Sequence, residues 1–280
     1  MKILFNSKFL RHNSDSLVEG QYRIQEFASS VDEVDSNGEE FITLVHSAPY
    51  LSMVRDACMN SQVLAEVYLS PESYGAACSA VGLAVMAAEG NDFAVIRPPG
   101  HHAKAERADG FCLFNNIAIA TQNLVNEGKK VFILDIDGHH GDGTQEIFYR
   151  SDKVLFCSIH QQYTYPGTGE RNETGAGDGL GYTMNFPLSV GSGDKELLEA
   201  VDAAILRAGE FKPDVVGVSA GFDGYVGDTL LGLNYTHFGF YSCGLRLSQS
   251  FDNIFAVLEG GYHFDIKKCT DQFIRGVNND

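Results

Sequence analysis

V-F-I-L-D-I-D-G-H-H-G-D, residues 131–142, is the stretch whose reading decides the fold. Val131, Phe132, Ile133 and Leu134 make a short apolar run of the kind a parallel strand needs when both its faces are buried. The polar residues begin where such a strand must end: Asp135, Asp137, His139, His140 and Asp142 fall within eight positions. Open α/β sheets bind ligands outside the carboxyl ends of their strands, so this is where a site is expected. Carboxylates and imidazoles this close together suit a divalent metal such as zinc.

The flanks repeat the pattern. Upstream, 115–126 reads as a helix stopped at Gly128; downstream come a helix near 144–149 and a strand over 154–159. Ser70-Pro71-Glu72 opens a helix that keeps Ala77, Val81, Ala84 and Ala88 at helical spacing and ends near Gly90. The apolar run 93–96 is a buried strand leading into R-P-P-G-H-H, where Pro98-Pro99 places His101 and His102 on a loop at a strand end. Strands are further expected at 3–5, 41–45, 184–187, 215–219 and 254–258, and helices near 23–29, 194–208, 236–250 and 266–277. Loops are expected over 11–20 and over the Gly-rich 161–181. Alternating short apolar strands and helices imply an α/β fold with a mainly parallel sheet of about eight strands. With no internal repeat, linker or composition shift, the chain 1–280 reads as one domain.

Lys and Arg number 20 against 37 Asp and Glu, a net charge of −17, which excludes a general electrostatic grip on nucleic acid. The same charge would help to attract cationic substrates. The six cysteines show no C-x-x-C pair and most sit among apolar residues, so they read as reduced core thiols. The N-terminal apolar run Ile3-Leu4-Phe5 is too short for a signal peptide, and no stretch approaches membrane-spanning length. The expected location is cytoplasmic.

Polar residues follow four of these strands: His101-His102, Asp135 to Asp142, Asp223 and Tyr262. Asp137 and His139 together favour metal ligation over a hydrogen-bonded pair bracing a turn. Asp223, in S-A-G-F-D-G, is by itself a turn residue; its place after the strand at 215–219 makes it the third ligand. Three protein ligands leave positions open for water and substrate. His101 and His102 are metal ligands, satisfied loop histidines or general acid–base groups. Adjacent residues point in different directions, which suits the last. Asp135 and Asp142 can each hold one imidazole in its tautomer. Tyr262, after the tight-turning Gly260-Gly261, is either a core tyrosine or a donor to a developing oxyanion. The run G-A-G-D-G-L-G (175–181) opens no helix after a strand, so it is a poor dinucleotide fingerprint and reads as a loop near the pocket mouth. His12, His46, His140, His160, His237 and His263 read as structural.

The chain resembles the zinc-dependent histone deacetylase superfamily, which includes acetylpolyamine amidohydrolases and related bacterial enzymes. The motifs are R-P-P-G-H-H-A (97–103), G-F-C-L-F-N-N-I-A-I-A (110–120), D-I-D-G-H-H-G-D-G-T-Q (135–145), Y-P-G-T-G (165–169), S-A-G-F-D (219–223) and L-E-G-G-Y (258–262). They stand in the family's order from Pro71 onward, while the first 60 or so residues match weakly. The wording is closer to the class II and bacterial branches than to class I. The resemblance implies a three-layer arginase/deacetylase-like fold and Asp137, His139 and Asp223 as ligands of Zn2+, with Fe2+ as the alternative metal. It makes His101 and His102 the tandem histidines, backed by Asp135 and Asp142, with His102 the general base. Tyr262 becomes the tyrosine that polarises the substrate carbonyl. Gly110, Phe111 and Tyr165 would wall an acyl-lysine tunnel. A structural K+ is implied, with Asp135, Asp137, His139, Ser158 and Ile159 supplying its oxygens.

Departures bear on substrate. Leu69, in Tyr68-Leu69-Ser70-Pro71, stands where class I members place an Asp that holds the substrate backbone. Leu230 stands where polyamine-selective relatives carry an acidic gatekeeper, and Thr229 where a proline is common. The chain is shorter than most relatives, so a more open pocket is expected. The reading is metal-dependent hydrolysis of N-acyl amide bonds, with acetyl-lysine as the first substrate and acetylpolyamines or another small acylated amine as the alternative. A dimanganese ureohydrolase lacks the D-A-H-x-D run that would complete its second site. A non-enzymatic acyl-amine binding protein would predict a damaged catalytic set, whereas every expected position is filled.

Overall fold

The computed structural model describes residues 1–12 and 18–280. Its strands are β1 (Ile3–Leu4), β2 (Val63–Leu64), β3 (Val67–Tyr68), β4 (Phe93–Ala94), β5 (Val131–Asp135), β6 (Val154–Gln161), β7 (Thr183–Leu188), β8 (Val215–Ala220) and β9 (Ile254–Leu258). Its α-helices are α1 (Glu39–Ile42), α2 (Ala48–Met59), α3 (Pro71–Gly90), α4 (Asn116–Asn126), α5 (Asp142–Phe148), α6 (Asp194–Phe211), α7 (His237–Ser250) and α8 (Ile266–Asn278). Seven strands make one sheet in the order β1-β4-β9-β8-β5-β6-β7, every neighbouring pair parallel; β2 and β3 form a separate antiparallel hairpin. All five residues of β5 are fully buried, because helices cover both faces of the sheet. Helices α3 and α4 pack on β4, β9, β8 and β5; α6 packs on β6 and β7 and continues through α7 to α8.

The sheet has seven strands rather than about eight because 41–45 is not a strand. The buried positions there are Ile42 and His46, four apart, which is helical spacing, and the chain turns through α1 instead. The helix expected at 23–29 is two 3-10 turns, Gln21–Arg23 and Phe27–Ser29, with Ile24 and Phe27 buried three apart. The strand expected at 93–96 pairs only over Phe93–Ala94 before Pro98 ends the ladder. Part of the loop expected at 11–20 lies outside the described residues. Helix α3 begins at Pro71 as its start signal implies, and Ser73 Oγ accepts the Ser70 N–H at 3.0 Å. All six cysteines are buried and unpaired. Among the described residues no helix is long and apolar enough to cross a membrane.

Two buried histidines make the fold acid-sensitive. His46 Nε2 accepts the Asn115 N–H at 2.9 Å, which leaves Nδ1 to donate to the Ala105 carbonyl at 3.1 Å; both nitrogens are used by the neutral ring. Burial pushes His46 down to about 4, and burial with the nearby Arg97 charge does the same to His12. A histidine whose folded pKa lies below its unfolded value near 6.5 is fully stabilising above that value, and its contribution is lost as the pH falls towards 4. Each is expected to cost about 2 kcal/mol by pH 5. Thermal unfolding at pH 7.5 and 5.0 should show that drop, with a shallower slope in His46→Gln; equal slopes would contradict it.

Candidate active site

Four adjacent strands, β4-β9-β8-β5, deliver the polar groups picked out in the sequence. The loop after β4 carries His101 and His102, that after β9 carries Tyr262, that after β8 carries Asp223, and that after β5 carries Asp137 and His139. Residues distant in sequence therefore meet at one end of the sheet, as the carboxyl ends of parallel strands require.

Asp137, His139 and Asp223 offer one ligand atom each, all within 4.8 Å of one another; among the described residues this is the one such cluster of three or more. His139 Nδ1 lies 2.7 Å from Asp223 Oδ2 and 3.2 Å from Asp137 Oδ1. Asp223 Oδ1 accepts the Gly138 N–H at 2.5 Å, and Asp137 Oδ2 accepts the Gly260 N–H at 2.7 Å, so each carboxylate is aimed. Gly260 must be glycine for this approach: a β-carbon there would stand 2.6 Å from carboxylate oxygens of both Asp137 and Asp223. Burial, and then the Asp137 charge, push the Asp223 carboxyl up to about 7. Burial works to lower His139, but Asp223 and Asp137 push it up to about 10. Two buried carboxylates facing one imidazole nitrogen form a donor set that a divalent cation neutralises, so the residues present fit zinc.

Behind this cluster stand two imidazole–carboxylate pairs. His101 Nδ1 is 3.0 Å from Asp135 Oδ2, and His102 Nδ1 is 2.8 Å from Asp142 Oδ1. Against expectation the two adjacent rings do not diverge: their centroids are 3.9 Å apart at 45°. Each is nevertheless tied to its own carboxylate. Burial opposes charge on His101, yet Asp137 and Asp135 hold its pKa well above the ordinary range. Burial and the neighbouring His101 charge push His102 down to about 4. One ring is thus held as a cation and the other as a neutral base.

His102 and His139 meet Gly110, Phe111, Tyr165, Leu230 and Tyr262 in one cavity of about 240 Å³. That is below the roughly 300 Å³ at which pockets begin to hold drug-sized ligands, and it fits a single side chain or a thin amine. Gly110, at φ +49°, lets the backbone pass His102: a β-carbon would sit 2.6 Å from the ring. At the mouth Tyr165 and Leu230 are 40% and 45% exposed, which opens the pocket to solvent. Leu69 is buried in the core and presents nothing to a substrate backbone. The Gly-rich run 175–181 is not at the mouth; it packs on the end of α5, with the Ala176 N–H donating to the Tyr149 carbonyl at 2.8 Å. His140 is held by Thr168 at 2.8 Å and Gln145 at 3.0 Å. Of the residues implied for a monovalent cation, Asp135 and Ser158 are direct partners in the β5–β6 register, and Ile159 follows Ser158 on β6.

Several residues that shape the site escaped the sequence reading. Buried Glu259 accepts the Gly100 and His101 N–H groups at 2.7 and 3.1 Å and so fixes the tandem-histidine loop. Asp228 Oδ2 accepts the Tyr262 N–H at 2.6 Å. Lys104 pairs with Asp142, and Tyr165 donates its hydroxyl to Asp109 at 2.7 Å. Arg23 donates to the carbonyls of Gly261 and Glu259 at 2.6 and 2.5 Å, its guanidinium 4.9 Å from the Tyr262 ring centre. Glu19 joins Arg23 at 2.9 Å to Arg97 at 2.7 Å, all three buried. Arg97 and Glu259 stand inside the quoted motifs, but no local pattern names the partners, which are 78 residues apart for Glu19–Arg97 and 238 for Arg23–Gly261. Glu19→Gln leaves two buried cations without their shared anion and is expected to cost about 3–5 kcal/mol. A denaturant titration with an unchanged midpoint would refute that.

A family model described as a histone deacetylase domain matches residues 10–277. A probable deacetylase of Methanothermobacter thermautotrophicus is 34% identical over 311 aligned positions, covering 100% of this chain and 91% of that protein. A probable deacetylase of Archaeoglobus fulgidus is 46% identical over 179 positions, 61% of this chain and 50% of its own. Histone deacetylase 5 of Arabidopsis thaliana is 39% identical over 81% of this chain and 39% of its own. The match thus spans half or less of the length of these last two curated relatives. Among solved structures, the HDA15 HD domain superposes with a TM-score of 0.94 at 31% identity, covering 100% of this chain and 88% of that one. An acetylpolyamine aminohydrolase from Burkholderia pseudomallei gives 0.87 at 29%, covering 99% and 98%.

Proposed function

Because the chain belongs to the histone deacetylase domain family, we propose that it hydrolyses the amide bond of N-acetylated amines, with acetyl-lysine in peptides as the first substrate. The observation that carries this reading is the meeting of the Asp137–His139–Asp223 cluster with His102 and Tyr262 in or beside one small cavity. A zinc ion held by those three residues would supply Lewis acidity to the acyl carbonyl and to a bound water. The chain's own groups do the rest. Tyr262 donates its phenolic O–H to the acyl oxygen as negative charge develops there. His102, with its Nδ1–H held by Asp142, presents Nε2 to take a proton from the attacking water and return it to the leaving amine. His101, held as a cation by Asp137 and Asp135, stabilises negative charge at the same end of the sheet. Phe111 and Tyr165 confine the acyl-bearing chain.

The same reading includes K+ beside Asp135, Asp137, His139, Ser158 and Ile159, where the buried residues Asp135 and Ser158 are register partners on β5 and β6. A second reading, a small-molecule amidohydrolase, draws support from the narrow cavity and from the 98% coverage of the acetylpolyamine aminohydrolase.

The deciding experiment is a panel of acetyl-lysine peptides, acetylated polyamines and longer acyl-lysines, assayed with zinc and with a chelator control. Turnover that survives thorough metal removal would end the metal-dependent reading. Zinc at about 100 times its Kd should also stabilise the chelator-treated protein by about 2.7 kcal/mol. Asp223→Ala should abolish that gain; a variant that still gains it would remove Asp223 from the ligand set.

A further inference from the structure

One charged group at the pocket has no part in the chemistry described above. Glu66 lies in the two-residue loop Ala65-Glu66 that joins β2 to β3, and both residues have positive φ, +51° and +65°. Two successive left-handed residues are the geometry of a hairpin turn that ordinarily takes Asn-Gly, because a β-carbon is disfavoured there. The loop is nonetheless pinned to the pocket wall. The Phe111 N–H donates to the Ala65 carbonyl at 3.0 Å, and Val67, just past the turn, is fully buried. Glu66 is thereby set on the lining of the cavity with Phe111, Tyr165 and Leu230, exposed to solvent on its outer side.

The other acid beside this wall is already occupied. Asp109 accepts the Tyr165 hydroxyl at 2.7 Å and pairs with Arg107 at 3.0 Å and Lys104 at 3.4 Å. Glu66 has neither an ion pair nor a side-chain hydrogen bond among the described residues, and no lysine or arginine lines the cavity. Its carboxylate therefore has no cation to meet until a ligand brings one. The chain's net charge of −17 adds to the attraction.

We propose that Glu66 determines specificity by receiving a second positive charge carried by the acylated amine beyond its amide. The preferred substrate is then an N-acyl amine bearing an ammonium or guanidinium group, whether on a polyamine chain or on a residue flanking an acyl-lysine. This rests on the deacylase reading. Leu230, on the same wall, supplies no charge, so the hairpin rather than the loop after β8 carries the selectivity.

The test compares matched substrates: an acetylated diamine against the acetylated amino alcohol of equal length, and an acetyl-lysine peptide flanked by arginine against one flanked by citrulline. Glu66→Gln should raise KM for the charged member by roughly five-fold, the upper range for an exposed ion pair, with the change in KM rather than kcat. Glu66→Lys, which also adds repulsion, should raise it roughly twenty-five-fold by the same measure. Glu66→Asp should restore part of the preference. An effect in the diamine pair alone identifies a small amine, and in the peptide pair alone a flanking residue; either supports the proposal. A charged-to-neutral KM ratio that is the same in the wild type and in all three variants overturns it. Calorimetric Kd values for the free diamine and the amino alcohol provide an arm without turnover. If no substrate is hydrolysed, the deacylase reading falls, while equal Kd ratios in wild type and Glu66→Gln would by themselves overturn the role of Glu66.

Discussion

Tyr262→Phe is expected to lower kcat for an acetylated amine by roughly 100- to 1,000-fold, the usual cost of deleting one donor to a developing oxyanion. The variant removes only an oxygen, because the ring and backbone are held by other means. Phe111 packs edge-on to the ring at 5.9 Å, the Arg23 guanidinium lies 4.9 Å from its centre, and Asp228 accepts the backbone N–H at 2.6 Å. Burial drives the phenol well above its ordinary pKa, only partly offset by Arg23, so the hydroxyl keeps the proton it donates at every working pH. Zinc content should therefore match the wild type, and steady-state kinetics should show the loss in kcat. Near-normal turnover with full zinc would remove Tyr262 from the mechanism.

The position of Tyr262 shows what the sequence carries and what it does not. Its place four residues past an apolar strand is legible, as are those of His101, Asp137 and Asp223, because the strand end is a local signal and the sheet gathers strand ends. The strand run 131–134 is likewise legible from four apolar residues and the polar break after them. The run 41–45 misleads because Phe41-Ile42-Thr43-Leu44-Val45, four of the five apolar, fits a strand as well as a buried helical turn, and only the burial of Ile42 and His46 decides. What holds Tyr262 is not legible. Arg23 and Glu19 lie far in sequence from Gly261 and Arg97, partners that are found only by folding. Composition reads a Gly-rich run as a pocket loop, yet the run at 175–181 packs on α5, since glycine permits close packing anywhere. Glu66 is silent in sequence because nothing about one glutamate in a short hairpin marks which surface it joins.

The tandem histidines set the second large effect, and the geometry separates them. His102→Ala is expected to lower kcat/KM by roughly 100- to 10,000-fold, the range for a lost general base. His102 lines the cavity, and its Nδ1–H is spent on Asp142, so Nε2 is the free acceptor on the substrate side. Burial and the His101 charge place its pKa near 4, so the ring is neutral and able to accept a proton throughout the neutral range. His101 is the opposite case: its Nδ1 faces Asp135 at 3.0 Å, its Nε2 is 3.9 Å from Asp137, and both carboxylates hold it protonated. A ring already carrying its proton cannot take another, so His101 acts through its charge. His101→Gln, which keeps a hydrogen-bond donor but loses the cation, should cost less than His102→Ala and should relieve the depression of His102. The acid limb of the kcat/KM profile should then move to higher pH, because removing a neighbouring positive charge makes His102 easier to protonate. A larger loss in His101→Gln than in His102→Ala, or an acid limb that moves to lower pH, would exchange the two roles.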